Sequence, residues 1–207
     1  LAKLATVEGN RVCATCHPSI AGDLARHTHH DPAGAGSACI ACHMPKKNMG
    51  LDYGLVRYHR IGSPNDPARV AGDRPLECAL CHADRSVEQL AGAMETWWGK
   101  PIDRAALRRL YGDDLGARVL TATLARGKPH EQAAAVAVLG ELRDASQVPA
   151  IAAQLSHDYP LVRYFALRAL ERITGGPVPI DVGAPAAEVR TAAAAWLAGY
   201  RASARAP

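Results

Sequence analysis

All six cysteines of this chain fall in pairs separated by two residues, and each pair is followed at once by histidine. The blocks are Cys13-Ala-Thr-Cys16-His17, Cys39-Ile-Ala-Cys42-His43 and Cys78-Ala-Leu-Cys81-His82. No cysteine remains for the disulfide framework that six cysteines in an exported chain otherwise suggest. A zinc site needs two cysteine pairs converging on one metal, or one pair with two outlying histidines. Three separate pairs, each ending in histidine, do not supply that set. The spacing suits a different chemistry. Two thiols on one helical turn reach the two vinyl groups along one edge of a porphyrin, and the next residue lies under the iron. The sequence therefore predicts three haem c groups, bound through Cys13 and Cys16, Cys39 and Cys42, and Cys78 and Cys81. His17, His43 and His82 are their proximal iron ligands.

Composition agrees with that reading. Apolar residues make up 48% of the 207, yet aromatics total 5% and there is a single phenylalanine. A haem-free domain of this size usually draws on more bulky aromatic side chains, and three porphyrins would supply the missing apolar bulk. The net charge of +4 is mild, and the lysines and arginines are scattered. No nucleic-acid partner is expected. No run of eighteen apolar residues marks a membrane span. The chain begins Leu1-Ala2-Lys3, as a mature product or an excised fragment would. Haem of this type is attached outside the cytoplasmic membrane, so the expected location is periplasmic or extracellular.

Each iron has a second axial position to fill. Outside the blocks stand His27, His29, His30, His59, His130 and His157. On a helix His27 and His30 share a face while His29 points elsewhere, so one turn of Arg26-His27-Thr28-His29-His30 can serve two haems and draw them together. His59, between the second and third blocks, is the natural third ligand. The distal set is thus His27, His30 and His59, with His29 as a substitute and Met49 as a weaker alternative. Met44 adjoins His43 and does not reach the opposite face of the same haem. A lone histidine is more often a solvated or core side chain. That reading is kept for His130 and His157, at loop-like surface positions.

Texture changes near residue 100. Residues 1–100 are rich in Gly, Pro, His and Cys, with short helices expected at the haem blocks. A clearer helix starts at Ser86, where Ser86 and Gln89 make a capping-box pattern, and runs to Trp97-Trp98 before Gly99 and Pro101. Residues 101–207 are rich in alanine and leucine at helical spacing, and they repeat. Residues 120–144 align with 151–175 at an offset of 31, setting Leu124 on Leu155, Pro129 on Pro160, Ala135 on Ala166 and Leu139 on Leu170. A partial third copy follows, with Val189, Ala193 and Leu197 on Val162, Ala166 and Leu170. Helix pairs at this period read as a stacked solenoid, though about three copies are usual and an ordinary helical bundle is the alternative. The expected fold is mostly α: a loop-rich trihaem cytochrome c domain, then a HEAT-like α-solenoid whose first repeat packs on the 86–98 helix.

The stretches His27-Thr28-His29-His30, Gly36 through Pro45, and Pro75 through Ser86 followed by Trp97-Trp98-Gly99 resemble multihaem cytochromes fused to TPR or HEAT repeats. Residues 42–46, then His59 through Pro64 to Cys78, are also similar to pentahaem nitrite reductases, of the wider superfamily that includes the octahaem hydroxylamine oxidoreductases. The resemblance covers roughly residues 10–100. It implies bis-histidine ligation with His27, His30 and His59 at the ligand positions, closely packed haems and an exported location. In one respect the chain departs from it. Those nitrite reductases carry a haem whose proximal ligand is lysine, whereas all three blocks here end in histidine, so nitrite reduction is not carried over.

The expected function is electron transfer through three six-coordinate haems of low potential, since histidine on both faces leaves no substrate site and no methionine raises the potential. Partners would be other redox proteins, docking through small transient contacts, with the repeats as scaffold. An enzyme is the alternative, with one open haem acting on a small nitrogen or oxygen species and Asp31, His29, Tyr53 or Arg57 as acid–base groups. A third reading makes the chain a subunit of a larger multihaem complex or filament, in which His130 or His157 ligates across an interface.

Overall fold

The computed structural model describes residues 2–50 and 54–203. The described chain is mostly helical, as expected, with one two-stranded sheet. It opens with four short helices: α1 (Asn10–Ala14), α2 (Pro18–Ala21), α3 (Leu24–Thr28) and α4 (Cys39–His43). Local chemistry sets their ends. Pro18 opens α2, where its missing N–H costs nothing. Asp23 caps α3 by accepting from the Arg26 N–H, and His29, in the left-handed region at φ +56°, stops it.

A hairpin that the sequence reading did not anticipate follows, β1 (Lys46–Met49) against β2 (Leu55–Arg57), with Met49 opposite Leu55 and Lys46 opposite Arg57. Along β1, Lys46 and Asn48 are exposed while Lys47 is buried. The inward strand position thus holds a charged residue, which an apolar alternation pattern does not register. Lys47 is satisfied where it lies, donating to the Pro75 carbonyl at 3.1 Å and pairing with Asp73 at 2.8 Å.

Helix α5 (Pro67–Gly72) is capped by Asp66. A 3-10 turn over Glu77–Leu80 starts the third cysteine block. Helix α6 (Val87–Trp98) carries the anticipated reciprocal capping box between Ser86 and Gln89 and ends at Gly99, φ +66°. After α7 (Arg104–Tyr111) come two helix pairs: α8 (Val119–Arg126) with α9 (Pro129–Glu141), and α10 (Val148–Ala153) with α11 (Pro160–Thr174). Pro129 and Pro160 both open the second helix of their pair. The aligned residues Leu124 and Leu155, Ala135 and Ala166, and Leu139 and Leu170 are all buried. A Cβ on Gly140 would meet Ala169 at 2.7 Å, so α9 and α11 touch backbone to backbone there. Helix α12 (Ala186–Ser203) buries Val189 and Ala193, as α11 buries Val162 and Ala166.

The apolar core is continuous from Val70 to Ala193, across the change of texture near residue 100. Two junctions bind the cysteine-rich half to the helix pairs. Near α6, the Val87 N–H donates to the Ala117 carbonyl and the Val119 N–H to the Arg85 carbonyl. Ahead of the third cysteine block, buried Arg74 pairs with buried Glu131 of α9 at 2.8 Å and donates to the Leu110 carbonyl. The Leu76 N–H there donates to the Tyr111 hydroxyl at 2.9 Å.

Candidate functional site

Each cysteine block folds as a single turn. In the first, the His17 N–H reaches the Cys13 carbonyl at 2.9 Å. In the third, the His82 N–H reaches the Cys78 carbonyl, also at 2.9 Å. The second block is α4 itself. No two of the six cysteines form a disulfide; Cys16 and Cys81 are exposed and the other four half-buried. Burial, with neighbouring thiols adding to it, pushes Cys42 up to about 11 and Cys78 up to about 12. Burial and then Cys13 likewise raise Cys39. Reactive and metal-bound cysteines are depressed instead. These thiols are held protonated at neutral pH.

The histidines are arranged in opposed pairs. The rings of His27 and His43 lie 6.1 Å apart between centroids with planes 9° from parallel. Those of His30 and His82 lie 5.8 Å apart at 30°. The His30 and His82 Nε2 atoms face each other across 3.5 Å. A metal ion between two imidazoles, with bonds of about 2 Å on each side, separates the nitrogens by about 4 Å. Half an ångström of ring movement opens the second pair to that spacing.

Hydrogen bonds fix which nitrogen each ring presents. His43 Nδ1 donates to the Gly62 carbonyl at 2.8 Å, and His30 Nδ1 to the Thr28 carbonyl at 2.6 Å. A carbonyl only accepts, so both rings carry their proton on Nδ1 and turn the Nε2 lone pair outward. Such carbonyl partners are the usual outer support of a metal-bound histidine. Burial, followed by the charges of His43 and His29, lowers the His27 pKa and keeps that ring neutral as a ligand must be.

The turn that carries His27 and His30 is held from several sides. His27 belongs to α3, the left-handed His29 breaks the helix, and His30 follows outside it. The His27 and His30 rings therefore reach His43 and His82 across a helix end rather than along one helix face. Thr28 Oγ1 bonds the Leu24 carbonyl and Ser37 Oγ, and Ser37 donates to the Asp31 carbonyl. A Cβ on Gly36 would come within 2.6 Å of the His30 ring, so only glycine leaves that ring its place. From α6, Trp98 Nε1 donates to the His27 carbonyl at 3.0 Å. Trp97 stacks on His29 at 4.9 Å and 8°. His29, the substitute ligand, is thus turned toward the tryptophans.

His17 and His59 are both exposed, and among the described residues neither makes a ring contact. The first block is tied to the second by Asn10, which donates to the Ser37 carbonyl and accepts from the Cys39 N–H, each at 2.8 Å. Met49 packs against the core. His130 is exposed on α9. His157 is half-buried, its Nδ1 accepting from the Tyr159 N–H at 2.9 Å. Of the acid–base candidates, Asp31 caps its own loop at Ala33, Arg57 holds backbone carbonyls, and Tyr53 lies outside the described residues. Among the described residues no group of three or more His, Cys, Asp or Glu forms a metal cage, and no helix is long and apolar enough to cross a membrane. Sequence reasoning missed Asn10, Gly36, Gly62 and Trp98 as supports of this site. Gly36, Gly62 and Trp98 stood within quoted motifs, but nothing in their spacing named their contacts.

The paired imidazoles fit the axial positions of a haem iron, and the cysteine turns fit its covalent edge. Comparison of the chain with family models, curated proteins and solved structures returned no match.

Proposed function

We propose that this chain is an exported, three-haem c-type cytochrome that transfers electrons, docked to redox partners through a HEAT-like helical repeat domain. The observation that carries the reading is the opposition of His27 to His43 and of His30 to His82, in chains of contact that start from two Cys-X-X-Cys-His turns. Two opposed imidazoles, with no third His, Cys, Asp or Glu grouped with them among the described residues, suit a low-spin iron that cycles between oxidation states and binds no substrate. Distal ligands three residues apart bring the second and third haems close, as electron transfer between them requires. The burial pattern adds support. Val12, Ile20 and Ile61 are exposed at 65%, 37% and 75%, a costly display of apolar surface that porphyrin faces beside the cysteine turns would cover.

A pyridine haemochrome assay with intact-mass measurement tests the count: three covalent haems per chain are expected, and colourless native protein ends the proposal. The alternative, an enzyme with one open haem, is favoured by a single observation: among the described residues His17 and His59 lie apart from any partner ring. Carbon monoxide binding to the reduced protein separates the two. No spectral change supports the carrier, and binding at one haem in three supports the enzyme.

A further inference from the structure

The half-buried Arg57 ends β2, directly before the segment that leads to His59, and its guanidinium turns back onto α4. One nitrogen, Nη1, donates to the Ile40 carbonyl at 2.7 Å and to the Met44 carbonyl at 3.0 Å. These two carbonyls flank His43. The Ile40 carbonyl also accepts from the Met44 N–H at 3.2 Å, the bond that closes the final turn of α4. The same stretch grips His43 from the other side. The Tyr58 N–H donates to the Pro45 carbonyl at 2.8 Å, the Gly62 N–H to the His43 carbonyl at 3.1 Å, and His43 Nδ1 to the Gly62 carbonyl. Among the described residues no carboxylate pairs with Arg57.

We propose that Arg57 is the positioning and potential-setting residue of the second haem: it locks the backbone on both sides of the proximal ligand His43 and sets a fixed cation beside it. The physical reasons are two. Carbonyls at a helix end carry partial negative charge, and a guanidinium that donates to two of them holds the turn in one geometry. A cation near an iron that gains an electron stabilises the reduced state, an effect strengthened by partial burial. Arginine suits this place because the two hydrogens of Nη1, held in the guanidinium plane, are aimed at two fixed acceptors, where lysine offers a point charge on a flexible stem. The inference rests on the haem reading of the Cys39-Cys42-His43 block.

The test compares Arg57→Gln and Arg57→Lys with the wild type in the full, haem-loaded chain. Haem count is read by haemochrome and peptide mass, potentials by spectroelectrochemical titration, and ligand geometry by electron paramagnetic resonance of the oxidised protein. With three haems attached, Arg57→Gln shifts one potential of the three downward and displaces one low-spin signal. Arg57→Lys recovers that potential while the signal stays displaced. Unchanged potentials and signals in Arg57→Gln overturn the proposal, as does an equal shift of all three haems. If Arg57→Gln loses a haem, loss from the Cys39–Cys42 peptide upholds the positioning role and loss from another peptide overturns it. A wild type without three haems sinks the haem reading itself, a result separable from either.

Discussion

Between residues 4 and 69, Ala38 is the one buried hydrophobic side chain among the described residues, beside two buried prolines, whereas the rest of the buried apolar core lies between Val70 and Ala193. The later region is assembled in the ordinary way, with Leu107, Leu120, Leu139, Ile151, Leu155 and Leu170 fully enclosed. Ordering a residue costs about 1–2 kcal/mol of backbone entropy, and there this is offset by burial. In the earlier region the chain is organised by polar contacts, such as Asn10 to Ser37 and Cys39 or Thr28 to Ser37. Net contributions of about 1 kcal/mol per hydrogen bond do not offset the entropy of some sixty residues. The difference shows where the first region lacks a core of its own. On the proposed haem reading, the porphyrins would supply it.

The largest expected effect follows directly. Replacing all six cysteines by alanine prevents covalent attachment, and residues 4–69 then lose their order while α8, α9, α10 and α11 keep theirs. Hydrogen exchange reads this residue by residue: near-unstructured rates in the first region, strong protection in the second. Equal protection in both regions of the haem-free protein would break the contrast.

Next in size is the joint between the regions. Removing one partner of a buried ion pair leaves the other charge uncompensated, at about 3–5 kcal/mol. Glu131 is held by the Arg74 guanidinium and backbone N–H and by the Lys128 N–H. Glu131→Ala should therefore lower the denaturant midpoint by that equivalent and loosen the loop before Cys78. A loss below about 1 kcal/mol would mean that the regions stand independently.

The longer helices were legible because their signals are local: the prolines that open α9 and α11 and the Ser86–Gln89 box that opens α6 each act within one turn, and the 31-residue register repeats the proline signal. Elsewhere in the cysteine-rich half only the positions of four histidines were legible. Spacing named His27, His43, His30 and His82, and these stand in opposed pairs. Their supports were hidden because the contacts that make them are remote or fall on the backbone: Gly62 acts through its carbonyl, Gly36 by lacking a side chain, and Trp98 across 71 residues. The hairpin was missed because Lys47 occupies an inward position that pattern reading reserves for apolar residues. Arg57 stood in the sequence only as an acid–base candidate of the alternative enzyme reading, more often an ordinary loop residue; its hydrogen bonds go to carbonyls.

Gly36 sharpens the contrast at a single site. Forcing a methyl against the His30 ring, at 2.6 Å, is overpacking worth about 2–3 kcal/mol, and the ring is easier to displace than the backbone. Gly36→Ala should leave the stability of the helix pairs unchanged and convert one low-spin haem to a form that binds carbon monoxide. A low-spin spectrum identical to the wild type would show that the first region tolerates crowding as a fluid loop does.

The smallest effect tests the joint from its other side. Tyr111 is buried on α7, and its hydroxyl accepts from the Leu76 N–H, two residues before Cys78. Tyr111→Phe keeps the ring's packing but leaves that buried N–H without a partner, a loss of about 1–2 kcal/mol. Burial pushes the phenol pKa up, outweighing the Leu76 bond that pulls it down. A raised value means that the folded state prefers the neutral form. The stabilisation is therefore complete below the ordinary phenol value of about 10 and is lost as the pH rises beyond it. The difference in unfolding free energy between wild type and Tyr111→Phe should accordingly stay constant from about pH 6 to about pH 9. A difference that shrinks within that window would mean that Tyr111 ionises readily, and that the loop ahead of the third cysteine block is open to water rather than gripped by the helical half.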